Sequence, residues 1–134
     1  MFKDDVFPSD FHDILGRFNV EIIYAECNLR PHLKYFYAMQ KYGNCHVITV
    51  DDDTIYKETM IEDFLKAHES NPNAILCGRC HRIQWDSNGC TLPYRKWKRD
   101  YREDIGESYE ILATGIGGVF YPSSFCSRIS SDLI

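Results

Sequence analysis

An α/β fold is predicted for this chain by three observations. Short apolar runs rich in β-branched residues occur at Val20–Tyr24, Cys45–Val50 and from Ala74 onward. Stretches of helical period lie between them, and turn residues mark the junctions. At 134 residues the chain makes one domain with a single core.

In chain order, Pro8-Ser9 precedes Phe11, Ile14 and Leu15 on one face, predicting a helix capped by Ser9 and closed near Gly16. VEIIY at Val20–Tyr24 is too short for a helix and reads as a buried strand. Pro31 stands where a first helical residue would, and Leu33, Phe36, Tyr37 and Gln40 recur at helical spacing until Gly43-Asn44. CHVITV at Cys45–Val50 is the next strand. Strand, helix, strand predicts a right-handed βαβ unit with parallel strands. A further helix is expected over Thr59–His68, with Met60, Ile61, Phe64, Leu65 and His68 on one stripe and Asn71-Pro72-Asn73 as its stop. A strand then runs from Ala74 toward Arg82, and DSNG at Asp86–Gly89 makes a turn. Tyr94–Tyr109 reads as a long excursion over the sheet, and Ile111–Pro122 as a glycine-rich strand-like segment.

Composition narrows the function classes. A net charge of −5 disfavours a general polyanion binder. No apolar stretch approaches the roughly 20 residues of a membrane span, and the acidic, aromatic start lacks the pattern of a secretory signal. The expected location is cytoplasmic, with peripheral association at the inner face of the membrane left open, and the six cysteines read as reduced thiols. Oligomeric state is not legible in the sequence.

The most informative feature is Asp51-Asp52-Asp53 directly after VITV. Three adjacent carboxylates repel one another unless a cation or solvent relieves them. In open α/β sheets, ligands bind beyond the carboxyl ends of strands, where this triplet is predicted to lie. Oxygen ligands without a neighbouring His or Cys suit magnesium or manganese, and such an ion beside a diphosphate stabilises it as a leaving group. The plainer alternative is a triplet that begins a loop and caps the next helix.

VITVDDDTIY resembles the strand and DxD motif of GT-A type, family 2-like, nucleotide-sugar glycosyltransferases of bacterial polysaccharide biosynthesis. NLRPHLKYFYAMQKY before it and ATGIGGVFYP after it are similar to that family's preceding helix and its acceptor-facing glycine-rich segment. The resemblance runs from Val20 to about Pro122. It implies a GT-A-like, Rossmann-like mixed sheet flanked by helices, with 1–134 forming a single α/β domain that is part of a longer glycosyltransferase domain. It implies transfer of a sugar from a nucleoside diphosphate sugar to a saccharide or lipid-linked acceptor, dependent on Mn2+ or Mg2+. Asp53 would coordinate the metal, Asp51 would assist through water or the ribose, and Asp52 would be a neighbouring contact. Arg30 and Lys34 would approach the donor phosphates. Thr114-Gly115-Ile116-Gly117-Gly118, Gly117 and Gly118 above all, lets backbone approach a ligand closely. No catalytic residue is assigned, because the family's general base would fall near or beyond Ile134. The alternative is a noncatalytic sugar-nucleotide binding domain.

Other patterns compete. Solvated helix faces account for Arg30 and Lys34, and tight packing accounts for GxGG, as plainly as ligand contact does. CGRCH at Cys77–His81 matches a haem attachment pattern, and with Cys90 it supplies four ligands for zinc, although adjacent Cys80 and His81 point to opposite strand faces. Buried reduced thiols are the simpler reading. YRKWKR at Tyr94–Arg99 interleaves aromatics with cations as single-strand nucleic-acid grooves do, or as contacts to an acceptor sugar or lipid phosphate would. Asp100, Glu103 and Asp104 beside it disfavour nucleic acid, which is not expected as a partner.

Overall fold

The computed structural model describes residues 7–103, 106 and 108–128. Its helices are α1 (Phe11–Gly16), α2 (Phe36–Lys41), α3 (Met60–Ser70) and α4 (Ser123–Cys126). Its strands are β1 (Val47–Thr49), β2 (Leu76–Cys77), β3 (Cys80–Arg82), β4 (Ile111–Ala113) and β5 (Val119–Tyr121). Short 3-10 turns occupy Arg30–Lys34, Tyr94–Lys96 and Gly115–Gly117.

β5 lies between β1 and β2 and pairs antiparallel with both. β1 and β2 therefore run in the same direction, with α3 in the connection between them. Ile48 and Leu76 both face Phe120 in the register, and Thr49 and Cys77 both face Val119. A second sheet pairs β3 with β4, antiparallel. The architecture is mixed α/β with small sheets whose direct pairings are antiparallel, which agrees only in part with a Rossmann-like sheet.

The predicted parallel unit is corrected accordingly. Residues 20–24 form no strand, and among the described residues no backbone hydrogen bond joins the amides of Glu21–Ala25 to another segment. Val20 and Tyr24 are 52% and 41% exposed. An apolar run becomes a strand only where a sheet edge receives its backbone groups. Here the segment passes along the surface until Ala25 is buried and the Tyr37 hydroxyl accepts the amides of Glu26 and Cys27, at 3.0 and 3.1 Å.

The helix expected after Pro31 is split. Pro31 sits in the first turn of a 3-10 segment, and α2 starts beyond Tyr35, burying Phe36 and Met39. α1 has Asp10 rather than Ser9 at its N-cap, with no side-chain cap bond. α3 matches its expected span closely. Glu62 and Asp63 in its first turn and His68 in its last complement the helix dipole, but of its predicted stripe only Phe64 is buried, Ile61 and Leu65 being largely exposed.

The strand predicted from Ala74 toward Arg82 is broken at Gly78-Arg79, which carries the chain from one sheet to the other. The cause is a crossing of two glycine backbones. A Cβ on Gly78 would stand 2.2 Å from the Gly117 carbonyl oxygen, and one on Gly117 would stand 2.4 Å from the Arg79 nitrogen. Only glycine permits that approach. The DSNG turn forms as expected, with Asp86 Oδ1 accepting the amides of Asn88 and Cys90.

The core centres on Phe120, fully buried and ringed by His46, His68 and Phe64 at centroid distances of 5.1, 5.1 and 6.0 Å. β5 thus holds α3 against the first sheet.

Candidate functional site

β1 ends at Thr49, so Asp51 follows a solvated Val50 just beyond the strand's carboxyl end. The triplet opens the loop to α3. It does not cap that helix, whose N-cap is Thr59. Asp51 is half-buried, whereas Asp52 and Asp53 are exposed. The Asp51 amide donates to the Tyr56 hydroxyl at 2.8 Å, which folds the loop back on itself.

Lys34 Nζ donates to Asp51 Oδ1. That hydrogen bond raises the Lys34 pKa above its ordinary value, partly offset by burial and reinforced by the charge of Asp51 and, more weakly, by Tyr56 and Asp52. The third member of the cluster is Gly115, where an added Cβ would stand 3.2 Å from Asp51 Oδ1. The carboxylate therefore rests against the backbone of the glycine-rich segment. Segments distant in sequence meet here: the turn before α2, the end of β1 and the link between β4 and β5.

Of the residues singled out from sequence, Lys34 and Asp51 are brought together, with Asp52 and Asp53 beside them. Arg30 is not joined to them. It lies at the other end of the 3-10 turn with φ 52°, its amide donating to Asn28 Oδ1 at 2.9 Å. Gly117 is engaged with Gly78 and Arg79. Gly118, at φ +76°, packs toward Met60 and Phe64, where a Cβ would meet the Met60 sulfur at 3.1 Å. Tight packing is thus the geometry observed at both glycines. Tyr56 was not singled out from sequence and Gly115 only as one of the Thr114–Gly118 stretch, although both lie inside the quoted motifs. The hint was their position, five residues after Asp51 and at the first glycine after β4.

Among the described residues no group of three or more His, Cys, Asp or Glu side chains is placed to hold a metal ion. The donor set at the triplet nevertheless fits a hard cation delivered with phosphate, since magnesium is usually bound by one or two carboxylates together with substrate oxygens. At the cysteine motif, Cys80 Sγ donates to the Tyr101 carbonyl at 3.2 Å, and His81 is buried with Nδ1 within 2.9 Å of the Cys80 carbonyl oxygen. Cys77 is pushed up to about 11, by burial first and then by the neighbouring Cys80. A shallow depression of about 500 Å³ along α1 and the segment after it, lined by His12, Leu15, Phe18 and Tyr24 among others, shares no residue with the Asp51 cluster.

A mixed α/β domain with an acidic turn past a strand end, a lysine against it and glycine backbone alongside belongs to the class that binds anionic ligands at strand termini. The sequence model of glycosyl transferase family 2 matches residues 4–130, and the chain belongs to that family. Membership implies the GT-A fold and glycosyl transfer from nucleotide sugars. Comparison with curated proteins and with solved structures gave no significant match. No helix among the described residues is long and apolar enough to cross a membrane.

Proposed function

We propose that the chain transfers a sugar from a nucleoside diphosphate sugar to a saccharide or lipid-linked acceptor, with the donor diphosphate at the Asp51 cluster. The observation that carries this reading is the meeting of Asp51, Lys34 and the Gly115 backbone past the end of β1. Asp51 and Asp53 would hold Mn2+ or Mg2+, which, when bound, supplies a Lewis acid that stabilises the departing diphosphate. Lys34 is a cation already positioned there, and a diphosphate oxygen is a natural alternative partner for its ammonium group. Asp52 would contact the donor from the same turn. Gly115, having no side chain, lets the Asp51 carboxylate pack against its backbone, and Tyr56 holds the turn in shape. Family membership favours transfer over binding alone. On the other side, the segment Ile111–Arg128 contains no carboxylate to serve as general base.

The test is thermal unfolding of wild type and Asp53→Ala with uridine or guanosine diphosphate, with and without manganese. A ligand at a hundredfold its Kd stabilises the folded state by about 2.7 kcal/mol. The expected outcome is a metal-dependent rise in Tm for wild type that Asp53→Ala loses. No rise with any nucleoside diphosphate would overturn the donor-site assignment. A rise without release of nucleoside diphosphate from a nucleotide sugar would identify a binding domain in place of an enzyme.

A further inference from the structure

The excursion after the DSNG turn is not used by the donor site, and its charge is opposite to that of the molecule. Arg95, Lys96, Lys98, Arg99 and Arg102 fall within eight positions of a chain whose net charge is −5. The backbone beneath them is fixed. Arg82 and Lys98 exchange hydrogen bonds of 2.9 and 3.1 Å, the Trp97 indole donates to the Leu92 carbonyl at 2.7 Å, and the Tyr101 amide donates to the Cys80 carbonyl at 3.0 Å. The five cationic side chains are nevertheless exposed, and Arg95, Lys96 and Lys98 make no ion pair among the described residues. Asp100, the one acid within these eight positions, is held by Arg79, and the adjoining Glu103 accepts from the Tyr101 hydroxyl. Tyr94 on this excursion is 49% exposed, and Trp85, just before the DSNG turn and bridged to Thr91 across it, is 48% exposed.

We propose that this excursion, centred on Arg95–Arg99 with Tyr94, together with Trp85 just before the DSNG turn, is a docking surface for an anionic lipid bilayer. Unpaired cations on a rigid support gain from a negative surface without the cost of breaking internal pairs, and tyrosine and tryptophan with free polar edges settle at the headgroup level. A nucleic-acid strand fits less well. The Tyr94 ring already has the Arg99 guanidinium over it at 5.7 Å and His81 and Trp97 against it, which limits the face it can offer a base. The surface deepens the acceptor half of the proposed function and rests on that reading only for its purpose. Asp100 ties the excursion to Arg79, whose backbone packs on Gly117, so a docked bilayer would lie near the glycine-rich segment.

The experiment is co-sedimentation of the whole chain with vesicles of phosphatidylcholine alone or with phosphatidylglycerol added. Binding is expected only with the anionic lipid and falls as salt rises from about 0.1 to about 0.5 M, over which the screening length roughly halves. A variant carrying Arg95→Gln, Lys96→Gln, Lys98→Gln and Arg99→Gln should bind at least about tenfold more weakly. Lys66→Gln, on α3, should bind as wild type does. Absence of binding to anionic vesicles, equal binding by the fourfold variant, or retention of single-stranded RNA in preference to vesicles would each overturn the proposal. If the variant does not fold, the lipid selectivity and salt response of wild type decide the matter. The manganese-dependent response to a nucleoside diphosphate, measured on the same proteins, separates failure of the donor site from failure of this surface.

Discussion

Asp51 illustrates how much one side chain owes to its neighbours. Its carboxylate is salt-bridged to Lys34 and lies against Gly115, yet Lys34 keeps 46% of its side-chain surface exposed. An exposed pair of that kind contributes little, so Lys34→Met should change the stability of the ligand-free protein by less than about 1 kcal/mol. The same substitution should markedly weaken stabilisation by a nucleoside diphosphate, which calorimetric titration would show. The cysteines offer a second test. Cys45 and Cys90 are exposed and Cys126 is buried, while burial holds the Cys77 thiol up to about 11. Timed alkylation read by mass spectrometry should label Cys45 and Cys90 first and Cys77 and Cys126 last. The sign of the pH effect follows. Cys77 ionises near its ordinary value of 9 when unfolded and near 11 when folded, so its stabilising contribution is complete below pH 9 and is lost as pH rises toward 11. Cys77→Val should flatten the alkaline fall in denaturation midpoint over that window.

Between elements, the decisive contact is the crossing of Gly78 and Gly117. It explains why one predicted strand became two, since the chain must leave the first sheet where the opposing backbone leaves no room for a side chain. Gly78→Ala or Gly117→Ala forces backbone apart and should cost at least about 2 kcal/mol in urea unfolding. Phe120→Ala removes the ring on which His46, Phe64 and His68 converge, and should cost about 3–5 kcal/mol. Helix α3 and the position of the acidic turn were legible beforehand, because an eleven-residue amphipathic segment and a β-branched run carry their own periodicity. The run Val20–Tyr24 has equally strong local character and still forms no strand. Its failure could not be read locally, because pairing depends on an edge supplied by another segment.

For the molecule as a whole, protection is unevenly distributed. β1, β5 and β2 share the Phe120 core with α3, whereas α1 buries no residue and Glu21–Ala25 lacks backbone partners among the described residues. Hydrogen exchange should find the slowest amides in Val47–Thr49, Val119–Tyr121 and the middle of α3, and rapid exchange from Arg17 to Ala25. Slow exchange in that early segment would mean that it pairs in solution as the apolar run suggested. At this scale the charge is also divided, with the cationic excursion of Arg95–Arg102 set on an acidic chain.

The amino-acid sequence by itself determined the α/β class, the span of α3, the place of three carboxylates just past β1 and, through the order of its motifs, membership of glycosyl transferase family 2. These are properties of short windows or of their succession, and periodicity and residue chemistry report them directly. Only the tertiary structure decided that β5 separates β1 from β2, that Gly117 serves a backbone crossing, and that Lys34 and Gly115 meet at Asp51 while Arg30 stands apart. Each of these depends on which distant segments come within a few ångströms of one another, and that is set by the joint packing of the chain around Phe120.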